Sequence, residues 1–168
     1  VPFPTPVPAG VDTVLTTRVA WSTAGLHVHV HVDQASIYTP TAAEELWHGD
    51  SIEIFAAGFA TLTGSYAPPK DQGALQVILT PTSEGKPGRA KLYLQEVLIG
   101  DVDPSQWGAR LVPGGYEVEL ILPWTALNAV PTPGLAIGFD LGVDVRQSSL
   151  GPTPLVQALY ALRSPSGA

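Results

Sequence analysis

An all-β chain, folded as an antiparallel β-sandwich of jelly-roll type, is what three features of the sequence predict. Short runs alternate apolar and polar residues with a period of two, as strands with one dry face require. The 168 residues include 17 glycines and 17 prolines, which break the chain into many turns. Helical patterning is scarce, and 45% hydrophobic content with only 14% charge suits one domain with a sizeable core.

The elements follow in order. Residues 1–10, VPFPTPVPAG, carry four prolines and are read as an extended arm or linker, leaving 11–168 as the sandwich. Strand-like runs then recur at 13–21, 26–32, 51–57, 74–80, 90–97, 116–122, 135–145 and 155–162. Two stretches have helical character, 41–47 (TAAEELW) and 123–129 (PWTALNA), the second with proline at a suitable first position. PGGY at 113–116 offers the positive φ a hairpin needs, and TSEGKPGR at 82–89 looks like an exposed hairpin tip.

Charge and composition exclude several functions. A net charge of −7 with only 8 Lys+Arg leaves no basic face for nucleic acid or for an anionic membrane surface. No window approaches the ~20 apolar residues of a membrane span, so no membrane insertion is expected. The absence of cysteine removes disulfides, thiolate-bound zinc and thiol catalysis together. A first residue of Val rather than Met suggests a processed product or a domain excised from a larger parent polypeptide.

The run HVHVHVD at 27–33 places His27, His29 and His31 on one face of a strand and Val28, Val30 and Val32 on the other. Same-face neighbours lie roughly 6.5–7 Å apart, close enough for two imidazoles to share a zinc or copper ion. A third ligand would have to come from a neighbouring strand, with Asp33 as one carboxylate at hand. The alternative is the wet face of an ordinary strand.

Four blocks carry a family resemblance: RVAWSTAGLHVHVHVD (18–33), LWHGDSIEIFAAG (46–58), GGYEVELILPWTAL (114–127) and PGLAIGFDLGVDV (133–145). In this order and spacing the chain from residue 12 to 145 resembles the family 9 carbohydrate-binding modules and the wider DOMON-like β-sandwiches. The resemblance implies a non-catalytic module of a secreted, cell-surface or periplasmic protein that holds polysaccharide near an attached partner. Its rival is a scaffolding domain that keeps the sandwich and has lost the sugar site.

The resemblance also implies a site. Trp47 matches a tryptophan that stacks on a pyranose ring, whose C–H face suits an aromatic surface. Asp50 and Glu53 match acidic positions that accept sugar hydroxyls, and Gln76 is the polar reach of the central strand. The family's second tryptophan has no counterpart in RQSSLGPTPLVQALY (146–160), for which Tyr66 or Tyr38 is a stand-in. Trp21 and Trp124 match framework positions and are expected in the core, with Trp107 also packing. The family often holds structural calcium, for which Asp33 is a candidate ligand, one position earlier than the usual pattern. Haem is not expected in a chain without methionine, where only two histidines could serve as axial ligands. Glu117 and Glu119 share a strand face as glycosidase carboxylates can, but two acids on a wet sheet face are commoner than a catalytic pair.

Overall fold

The computed structural model describes residues 14–40, 45–58, 74–83, 85–94, 97–146 and, as backbone only, 155–160. Two antiparallel sheets make up these residues. The first holds β1 (Val14–Trp21), β2 (Gly25–Asp33), β8 (Gly115–Pro123) and β7 (Trp107–Val112), in the order β1-β2-β8-β7. The second has the order β10-β9-β3-β4-β5-β6. It consists of β3 (Ser51–Ala57), β4 (Ala74–Thr80), β5 (Arg89–Leu94), β6 (Val97–Asp101), β9 (Gly138–Arg146) and β10 (Leu155–Tyr160). The Pro-rich arm at 1–10 lies outside the described residues.

Alternation explains the layering. In β2, Leu26, Val28, Val30 and Val32 are buried, and they pair across the ladder with Leu122, Leu120, Val118 and Tyr116 of β8, which are buried too. Against them pack Ile52, Ile54 and Ala56 of β3, Leu75, Val77 and Leu79 of β4, and Leu141, Val143 and Val145 of β9, in a single core. Burying each such side chain contributes about 1.5–3 kcal/mol. The outer residues of both sheets are therefore free to carry chemistry.

The β7–β8 hairpin turns at Pro113 and Gly114, with Gly114 at φ 84°, as the PGGY motif predicts. Other expectations need correction. The run 90–97 divides into β5 and part of β6, because the six-stranded sheet continues past the core to an edge strand. The 46–48 segment is one 3-10 turn, while 41–44 lies outside the described residues. Residues 123–129 form successive turns rather than a regular helix: Pro123 extends β8, the Pro123 carbonyl accepts from Ala126 and Leu127 N–H, and Asn128 at φ 49° ends the turn. The Ser83–Lys86 turn is docked rather than exposed at its base, since buried Ser83 donates from Oγ to Thr39 Oγ1 at 2.7 Å.

The tryptophans divide. Trp124 is in the core, with Nε1 donating to the Ser22 carbonyl at 2.8 Å, and Trp107 packs against the same core. Trp21, expected in the core, is 64% exposed. It ends β1, the edge strand of the four-stranded sheet, so its ring overhangs the corner of the described sandwich.

Candidate functional site

The outer face of the six-stranded sheet gathers three of the four residues singled out for sugar binding. Register places Glu53 of β3 opposite Ile78 of β4 and Gly142 of β9, and places Gln76 of β4 between Phe55 and Tyr93. Trp47, on the 3-10 turn Leu46–His48, leans over this face. It packs on the small cluster of Leu46, Ile78 and Tyr93, its ring 6.3 Å from that of Tyr93 at 60°. His48 meets Trp47 edge-on at 5.9 Å. Trp47 is half-buried: one part of the ring is held by the sheet and another faces outward.

Beneath this aromatic pair lies a carboxyl pair. Gln76 Nε2 donates to Glu53 Oε2 at 3.3 Å, and Ser51 Oγ donates to Asp144 Oδ2 at 2.6 Å. Burial and the adjoining Asp144 carboxyl push Glu53 up to about 7. Two carboxyls in contact in a dry setting favour holding one proton between them. Asp144 and Tyr93 were not singled out in the sequence. Each sits at an alternate, outward position of its strand, but only the non-local pairing of β9 and β5 with the centre of the sheet brings them to Glu53 and Gln76.

Asp50 has a different setting. It is fully buried and accepts from the backbone N–H of Tyr38 and, at 2.7 Å, from that of Arg146. Burial raises its pKa, against the opposing pull of these donors. Asp50 thus ties two chain segments behind the 3-10 turn and offers no surface to a ligand. Tyr38 is likewise engaged, with the Arg146 guanidinium 3.8 Å and the Lys86 ammonium 4.8 Å from its ring centroid. Tyr66 and residues 147–154 lie outside the described residues.

The histidine ladder is on the other sheet, facing outward as alternation predicts. His31 Nε2 lies 3.1 Å from Asp33 Oδ1, and Glu117 Oε1 lies 3.4 Å from His31 Nδ1 and 3.8 Å from His29 Nε2. His27 Nε2 is 2.8 Å from Ser22 Oγ. Among the described residues no three His, Asp or Glu side chains are arranged to hold a metal ion, so neither calcium at Asp33 nor a transition metal on the ladder gains a ligand set from them. Arg110 Nε donates to Glu117 at 2.7 Å and is the main cause of a lowered Glu117 pKa. A glycosidase acid needs the opposite shift.

Comparison with known proteins adds to this geometry. The family model described as "Carbohydrate family 9 binding domain-like" matches residues 6–149. A carbohydrate binding module family 9 from Caldicellulosiruptor kristjanssonii, solved in complex with cellotriose, is similar with a TM-score of 0.64 at 18% identity, over 92% of this chain and 68% of that one. A structure of such a module from the same organism in complex with glucose gives a TM-score of 0.59 at 18% identity, over 89% of this chain and 69% of that one. At this identity the two structures speak to the fold. No curated protein matches the chain. With the family model spanning most of a sandwich that these structures share, the chain belongs to the carbohydrate family 9 binding domain-like family.

Proposed function

We propose that the protein is a non-catalytic carbohydrate-binding module that takes sugar on the outer face of its six-stranded sheet. The observation that carries this reading is Trp47, half-exposed and braced by Ile78 and Tyr93, the residues that pair across the sheet with Glu53 and Gln76. A braced aromatic ring gives a pyranose its apolar support with little ordering cost, and polar groups at its edge fix the orientation. Glu53, 5% exposed, is the floor of the site, and Gln76 flanks it. Asp50 acts as a positioning residue, holding the backbone around the turn that bears Trp47. The similar modules solved in complex with cellotriose and glucose support β-linked glucose chains as the first ligands to try. Such a module serves a parent polypeptide outside the cell by keeping it near polysaccharide.

A glycan array probed with the purified chain and with Trp47→Ala tests this. Binding of a gluco-oligosaccharide by the native chain, lost by about tenfold or more in the variant, is the expected result, equivalent to about 1.4 kcal/mol. Equal binding by both chains would overturn the Trp47 platform. Silence from both would favour a scaffolding domain on the same sandwich.

A further inference from the structure

We infer that the outer face of the four-stranded sheet carries a second binding site, a cleft for a saccharide bearing a carboxylate. The cleft has a volume of about 360 Å³ and runs across β1, β2, β8 and β7, on the sheet that does not hold Trp47. Its shape follows from the sequence. Gly108 pairs with Glu119, and a side chain added at Gly108 would meet nothing within 4 Å, so the sheet dips at that position. Ala20, opposite His27, lowers the other rim. His27, held by Ser22, and His29 stand between the two low points.

Several polar groups stand in a mainly apolar lining with little to answer them. Register aligns Arg18, His29 and Glu119 in one row across three strands, so Arg18 and Glu119 stand about 10 Å apart by strand spacing. Among the described residues neither Arg18 nor Glu119 makes a hydrogen bond or ion pair, and the Gln106 side chain has no partner either. His29 Nδ1 is sealed from solvent without a partner, and its Nε2 is 3.8 Å from the nearest carboxylate oxygen. In the adjoining row Arg110 is answered by Glu117, although His31 Nδ1, 3.4 Å from Glu117 Oε1, is likewise sealed without a hydrogen bond. Arg18, Glu119 and Gln106, convergent on a concavity without pairing with one another, are groups that a polar ligand completes.

The chemistry of the row selects the ligand. A guanidinium with no acid partner takes a carboxylate by two parallel hydrogen bonds. Glu119, at the far end, accepts from hydroxyls and repels a second carboxylate. Gln106 and His29 give and accept, as sugar hydroxyls also do, while Ile121 offers an apolar wall to ring C–H groups. A uronic acid or a short oligosaccharide with one uronate matches this order. A neutral sugar leaves Arg18 unanswered, and a densely anionic chain meets Glu119 and the net charge of −7.

Galacturonic acid, its methyl ester and glucose, titrated into the full chain with carbon-13 NMR of the histidine rings, provide the test. The acid is expected to shift the His27 and His29 rings saturably. The ester and glucose should bind about tenfold more weakly or not at all. Arg18→Gln should weaken the acid by a similar factor, and Gly108→Val, which fills the dip at an exposed strand position, should abolish it. Both variants sit on the surface, and their melting curves verify that they fold. Unmoved histidine rings would overturn the cleft, as would unchanged affinity in either folded variant. Equal binding of acid and ester would overturn the carboxylate preference. Because the readout is local to this sheet, failure here is distinct from failure of Trp47 binding.

Discussion

Three residues carry the sharpest energetic consequences. Asp50→Ala strips the acceptor from two backbone N–H groups, Tyr38 and Arg146, in a buried place. Each unsatisfied donor costs about 1–3 kcal/mol, so a loss of roughly 3 kcal/mol in urea denaturation is expected. Tyr116 behaves oppositely: it is fully buried and its hydroxyl finds no partner among the described residues. Tyr116→Phe should therefore be neutral or stabilising, by up to about 1 kcal/mol. Glu53 sets a pH dependence. Its folded pKa, about 7, lies above the ordinary carboxyl value, so the folded state holds the proton more tightly than the unfolded chain does. Its contribution is complete at low pH and is lost as pH rises from about 4.3 through the folded value. Melting temperature followed across that window should fall in the native chain, and Glu53→Gln should flatten this part of the slope.

Strands show which parts of this structure are visible in a sequence. The central strands β2, β3, β4 and β8 lie within a residue of their expected bounds: in β2 and β8 a dry and a wet face leave an alternation to read, while β3 and β4, buried on most of both faces, read as short apolar runs between turns. β6 has no such record. Val97, Leu98 and Ile99 are all exposed at 47–67%, since the strand lies beyond the core, and without a dry face the run blends into its neighbour. The 123–129 segment reads as helix by composition, yet Pro123 belongs to a strand and Asn128 turns left-handed. For the candidate site, Trp47, Glu53 and Gln76 were picked out through the family resemblance. Tyr93 and Asp144 were not, because only long-range pairing gives them their neighbours. Glycines extend the same contrast. A Cβ at Gly115 would collide with the Val32 carbonyl in the β2–β8 ladder, while one at Gly108 meets open space. Gly115→Ala should cost about 2–4 kcal/mol, and Gly108→Ala should leave the denaturation midpoint nearly unchanged.

The described residues form one main core between two sheets, and a binding face is proposed on each. Since both sheets contribute to that core, ligand at either surface stabilises the entire fold. Cellotriose at about a hundred times its dissociation constant should add about 2.7 kcal/mol, or roughly 5–10 °C in melting temperature for a chain of this length, readable by scanning fluorimetry. The single Asp50 carboxylate also has a global meaning. It joins amides 12 residues before it and 96 residues after it. Tyr38 lies outside any strand, where amide protons normally trade with solvent within seconds of local fraying. Here the proton is freed only when the loop bearing Tyr38 lifts off the buried Asp50 carboxylate. The Tyr38 amide is thus a loop proton held by a buried acceptor, and deuterium uptake at that one position reports how often this loop leaves the sandwich.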